Sequence, residues 1–199
     1  MTRGFAVCIL FNLTCNVNIM MNVSRVIIMD IRIKKTKSAI SGAFMQLRTK
    51  NAVEKISVTE LCKLAGVNKS TFYDHYRDIY DLSDKIETQI VEEIVATIDN
   101  PQNIFDDPGG FTKKLFYAYT EKERIVNIVF SGTRAAFLPE KTELILKQLV
   151  FRLRPEYEND VEKNVLFSMK IYGGFYAFQA NKKFNTDKVI SVISKLNSE

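Results

Sequence analysis

The chain has 199 residues and a mass of 22.9 kDa, a size that suits one domain or two small ones and can fold without disulfide or metal. Eight glycines and four prolines exclude collagen-like and low-complexity chains and favour long uninterrupted helices over a turn-rich sandwich. The cysteines Cys8, Cys15 and Cys62 are too few for a disulfide framework. A single histidine, His75, argues against His-based metal sites and most His-based catalysis. The net charge of +5 is unevenly spread: residues 30–78 carry ten Lys and Arg against five Asp and Glu, while residues 79–199 carry 16 against 18. That distribution suits a small nucleic-acid-binding head on a neutral body, and equally a solvated basic face with no partner.

Residues 1–29 read as a leader. The apolar run Gly4-Phe5-Ala6-Val7-Cys8-Ile9-Leu10-Phe11 is broken by Asn12, Thr14, Asn16, Asn18 and Asn22. A membrane span needs about 20 predominantly apolar residues, and a signal peptide needs a small-residue cleavage site; neither is supplied. The composition break predicts that Met29 is the conventional start and that residues 1–28 are upstream sequence, with a weak apolar anchor as the alternative. Intact mass of the natively expressed protein decides between them, since a mass that includes Met1 removes the first.

From Arg32 to Thr49, Ile33, Ala39, Ile40, Ala43, Phe44 and Leu47 recur at helical spacing with lysines between them. Ser57-Val58-Thr59-Glu60 is a capping-box pattern opening a second helix. Val58, Leu61, Cys62 and Ala65 form its buried stripe, which makes Cys62 a small buried hydrophobe. Gly66 ends it, Asn68 caps a third helix over Lys69–Tyr76, and Val67 and Phe72 take the staple positions. Phe72 and Tyr76 face inward and leave Lys69, Ser70, Tyr73, Asp74 and Arg77 on the outer side or flanks. A helix-turn-helix has this arrangement, as does a helical hairpin inside any all-α domain.

The run Thr59-Glu60-Leu61-Cys62-Lys63-Leu64-Ala65-Gly66-Val67-Asn68-Lys69-Ser70-Thr71-Phe72-Tyr73-Asp74-His75-Tyr76 resembles the signature of the TetR/AcrR family of bacterial transcriptional regulators. That signature joins an Ala-Gly-Val turn to a recognition helix ending in aromatic-Tyr-x-His-aromatic. The match runs from about Lys34 to about Ile86. Looser similarity reaches the Tyr172-Gly173-Gly174-Phe175 segment, which resembles the C-terminal domains of dihydroxyacetone-kinase-operon activators. The resemblance implies that Lys69, Ser70 and Tyr73 face bases and that Thr59, Thr71 and His75 lie at or near phosphates. It also implies that Lys34 and Lys37 touch the DNA backbone. Arg77-Asp78-Ile79-Tyr80-Asp81-Leu82 lacks the lysine many relatives place there for a phosphate, leaving Arg77 or Tyr80 for that contact. A phosphate-facing or surface role for His75 is preferred to a catalytic one, because no cysteine or second histidine stands near it in sequence.

Asp78 opens a long helix with Ile79, Leu82, Ile86, Ile90, Ile94 and Ile98 on one stripe, ended by Asn100-Pro101. Residues 100–110 read as loop. Helices follow near Phe111–Tyr119, Lys122–Ser131, Pro139–Arg152, Asn159–Ala180 and Thr186–Leu196. The Asn159–Ala180 helix has two apolar stripes about 200° apart, Val161, Val165, Met169, Tyr172 and Tyr176 on one and Phe167, Ile171, Phe175 and Phe178 on the other. A helix apolar on two sides must be buried on both, which predicts a homodimer. The interface is expected from Phe167, Ile171, Gly173, Gly174, Phe175, Phe178, Val189, Val192, Ile193 and Leu196. Dimerisation through the last two long helices is also what the resemblance implies. Phe116, Tyr119, Phe130, Phe137, Phe151 and Tyr172 are candidates to line an effector pocket, although core packing explains any one of them as well.

These readings combine into an all-α protein: a three-helix helix-turn-helix DNA-binding head over residues 30–80 and a helical effector and dimerisation domain over 81–199. The expected function is a cytoplasmic TetR-like regulator, in most relatives a repressor, binding a pseudo-palindromic double-stranded DNA operator as a homodimer. A small-molecule effector is the third expected partner. No enzyme activity, cofactor, metal or membrane association is expected. The alternative is a nonspecific or membrane-tethered nucleic-acid binder without an effector.

Overall fold

The computed structural model describes residues 29–198, and the expectation for residues 1–28 lies outside them. The described chain is all-α, ten helices with no strand among these residues. Helix α1 covers residues 29–48 and buries Ile40, Ala43, Phe44 and Leu47. A short 3-10 turn, Val53–Lys55, leads to α2, Val58–Ala65. Ser57 caps α2 by accepting the Glu60 amide at 3.1 Å, which is one half of the expected capping box. Gly66 closes α2 at φ 67°, the left-handed conformation that favours glycine. Asn68 then caps α3, Lys69–Tyr73.

The α3 helix is three residues shorter than its periodicity suggests. Asp74 and His75 fold into a turn, with His75 N donating to Phe72 O at 3.0 Å, and Tyr76 is still carried inward. Asp78 caps α4, Ile79–Ala96, whose Leu82, Ile86, Ile90, Val91 and Ile94 form the central stripe of the protein. One buried cluster runs without a break from Ile40 in α1 to Ile145 beyond α7, so head and body share a core along α4.

Residues 100–110 are not a loop. Asn100, at φ 54°, turns the chain, and a short helix α5, Asn103–Asp106, buries Ile104. Asp107 then caps α6, Pro108–Glu121, by accepting the Gly110 amide at 2.8 Å. Proline and glycine here sit in the first turn of a helix, where proline is preorganised and its missing N–H costs nothing. Helices α7, Glu123–Val129, and α8, Phe137–Leu153, follow, then α9, Val161–Ala180, and α10, Thr186–Ser198. The main packing pairs are α6 with α10, α4 with α8 and α8 with α9. Gly109 permits the α6–α10 approach: a Cβ there would collide with Ser198 Oγ and lie 2.9 Å from Ser194 O.

The two stripes of α9 divide differently from the expectation. Phe167, Ile171, Phe175 and Phe178 turn inward and line a cavity in their own chain. Gly174 is buried with Ile193 and Phe116 next to it, and Ile193 is itself in the core. Phe167, Ile171, Phe175 and Phe178 are half-buried in this position, whereas the expectation set them on an intersubunit face. The outward stripe is Val161, Val165, Met169 and Tyr176, with Leu166 beside it and Val192 and Leu196 on α10. Gly173 lies on that outer side with open space around it, and Val189 is half-buried.

Candidate nucleic-acid interface

The α3 unit is built from its cap outward. Asn68 Oδ1 accepts three bonds, from Thr71 N at 2.8 Å, Ser70 Oγ at 2.8 Å and Thr71 Oγ1 at 2.7 Å. The two hydroxyl protons are therefore spent on the cap, and Ser70 and Thr71 would have to release Asn68 before donating to a phosphate or base. Lys69 and Tyr73 carry no such commitment: both project outward, and Tyr73 is 56% exposed. Behind them Phe72 is fully buried, with Tyr73 edge-on to it at 5.3 Å and Tyr76 at 5.6 Å. Thr59, near the start of α2, is exposed, as are Lys34 and Lys37 on α1.

Asn68→Ala removes all three cap bonds. It is expected to lower stability by about 1 kcal/mol, the usual value of an N-cap, read from the urea midpoint.

His75 is half-buried, and its carbonyl accepts Lys85 Nζ at 3.2 Å. Arg77 is exposed but engaged: its Nη2 lies 3.2 Å from Asp81 Oδ1, and its backbone N–H donates to Asp81 Oδ2. Lys85 Nζ approaches the same carboxylate at 2.9 Å. Bonding to Lys85, followed by the Arg77 bonds, holds Asp81 down from its ordinary 3.8 to about 2. A depressed carboxyl stabilises the fold above its unfolded value and loses that contribution as pH falls toward the folded one. The stability advantage of wild type over Asp81→Asn is therefore expected to be full above about pH 4 and to vanish near pH 2 in pH-jump or urea titrations.

Not every basic residue of the head faces out. Arg48 is buried and directed into the body: Nη2 donates to Val129 O at 2.9 Å and Ser131 Oγ at 2.8 Å, and Nη1 to Asn51 O at 2.8 Å. Glu54 accepts from Thr133 beside it. The signal was present, because Arg48 falls four residues after Phe44 on the buried stripe of α1. Burial also raises the Cys62 thiol, as expected of an inert core residue.

The cavity in the body has a volume of about 370 Å³. Phe116, Tyr119 and Phe151 line it. The other three candidates lie outside its lining. Phe130 is closed into the core, Phe137 packs under the Arg134 guanidinium at 3.9 Å, and Tyr172 is drawn to Glu143. Alternation of aromatic residues reports burial, and burial in a core and at a cavity wall look alike in sequence.

Among the described residues no helix is long and apolar enough to cross a membrane, and no group of three His, Cys, Asp or Glu side chains is placed to hold a metal. No family model matches the chain. Over 107 residues it is 29% identical to Superantigen-like protein 11 of Staphylococcus aureus (strain Newman), a match covering 46% of this chain and 48% of that protein. The chain thus spans about half the length of the curated relative it matches, an extent that shows no family.

Proposed function

We propose that the chain is a DNA-binding transcriptional regulator of the TetR type that reads a pseudo-palindromic operator as a homodimer. The observation that carries this reading is the outer face of α3. Lys69 and Tyr73 stand exposed and make no hydrogen bond among the described residues, on a helix whose inner face buries Phe72, with Tyr76 packed against that ring from beyond the helix end. A short helix held rigidly by its back, with a cation and a phenol in front, suits insertion into a major groove. The basic excess of residues 30–78 supplies the phosphate attraction that is independent of sequence.

The dimer reading is supported by the outward stripe of α9 and α10, where Val161 is 77% and Met169 66% exposed. Apolar side chains gathered in this way mark an interaction surface. Val165→Glu is the variant expected to leave a folded monomer in sedimentation velocity. Enrichment from a random DNA library with purified protein tests the whole reading, and the expected product is a palindrome with half-sites about one helical turn, or a multiple of it, apart. Salt-sensitive binding with no enriched sequence would favour the nonspecific binder instead.

A further inference from the structure

We infer that the body cavity binds an amphiphile with one apolar chain and an anionic head, and that Lys170 receives the head. The walls are apolar along most of their length, from Phe111, Leu115, Leu146, Val150, Phe167 and Ile171. One stretch differs. Lys170 on α9 and Asn197 on α10 meet there, with Lys170 Nζ donating to Asn197 O at 2.9 Å and Asn197 Nδ2 donating to Thr112 Oγ1 at 3.0 Å. All three residues line the cavity.

An ammonium has three N–H groups and a side-chain amide has two, so this corner keeps two donors on Lys170 and one on Asn197 without a bonded acceptor among the described residues. Two other lysines of the wall are compensated: Lys147 pairs with Glu143 at 2.8 Å and Lys182 with Glu123 at 3.7 Å. Lys170 has no ion pair among the described residues; Lys163, two turns before it and also lining the cavity, has none either, but it is exposed and its Nζ stands 5.9 Å from the centre of the Tyr157 ring. Lys170 is half-buried beside apolar walls, where carboxylate or phosphate oxygens would meet its charge and take the spare donors. A neutral hydroxyl could take a donor but brings no countercharge, and a cationic head would be repelled. The volume of about 370 Å³ falls at the small end of ligand sites, which suits a single chain better than a fused-ring compound.

As the effector of the regulator, this ligand rests on the function proposed above, but its binding does not. The experiment is calorimetry on the full chain without DNA, below the critical micelle concentration, with dodecanoate, dodecyl phosphate, dodecanol and dodecyltrimethylammonium. Dodecanoate or dodecyl phosphate is expected to bind at least about tenfold more tightly than the alcohol, and the cation more weakly still. The stronger of the two anions identifies the head. Lys170→Met should remove that preference while lowering dodecanol affinity far less than anion affinity, and Lys170→Arg should retain it, which separates lost charge from lost folding. Equal binding of anion, alcohol and cation, or an anion preference that survives Lys170→Met, overturns the inference. A chain that enriches no operator yet discriminates the anions loses the regulator reading alone.

Discussion

Arg134→Met is expected to destabilise the protein by about 3–5 kcal/mol, the cost of leaving one member of a buried ion pair alone. The Arg134 guanidinium grips Glu87 with Nε at 2.7 Å from Oε1 and Nη2 at 2.6 Å from Oε2, while Ser83 Oγ donates to Oε1 at 2.7 Å. Glu87 is fully buried on α4, and Arg134 approaches from the turn before α8, its flat face on the Phe137 ring. Without the guanidinium, the carboxylate keeps one hydroxyl donor and must either stay desolvated or take up a proton. Replacing both partners by apolar residues (Glu87→Leu with Arg134→Met) should recover most of the loss, because charge and countercharge leave together. Urea unfolding of the two single variants and the pair measures this as a double-mutant cycle. Single losses under about 1 kcal/mol would place the pair with exposed ion pairs and refute the assignment.

The second large effect is expected at the DNA. Lys69→Ala and Tyr73→Ala should each weaken binding to the enriched operator by about 1–3 kcal/mol and leave the oligomeric state unchanged. Both side chains are exposed and bonded to nothing that holds the fold, so stability should move little. Ser70→Ala should cost less, since its hydroxyl is already committed to Asn68 Oδ1 and gains little by changing partner. A base contact is distinguished from a phosphate contact by comparing operator with random DNA. If Lys69→Ala weakens both equally, Lys69 touches phosphate and its base-reading role fails.

Head and body are joined by more than α4. Arg48 ties the end of α1 to the carbonyl that closes α7, and Glu54 reaches Thr133 on the next turn. Arg48 is one of the ten basic residues of 30–78, whereas the fold spends it on Asn51 O, Val129 O and the Ser131 hydroxyl. A charge tally cannot see this, because it takes no account of where on the helix a residue falls.

Caps and stripes were legible at the level of residues. Ser57, Asn68 and Asp78 each cap the helix that follows, and Gly66 turns left-handed, because each is decided within four or five residues of chain. In the 100–110 segment, prolines and glycines that read as helix breakers instead stand in the first turn of α6 or just before α5. Ile104 supplies the apolar anchor that makes a helix there worthwhile, and its burial depends on contacts far along the chain. Of the candidate interface residues, Lys69 and Tyr73 are placed outward by spacing alone, while spacing does not show the hydrogen bonds that occupy Ser70, Thr71 and Arg77.

The all-helical class, the caps and the buried stripe of each helix are consequences of the order of residues, since periodicity of 3.6 and local hydrogen bonding act over short distances. The folded protein alone chose which of the two apolar faces of α9 turns inward and which aromatics border a cavity. It alone turned Arg48 and Glu87 away from water and left Lys170 short of a countercharge. Those outcomes depend on which helix lies opposite, and two faces of equal hydrophobicity carry no mark of their future neighbour.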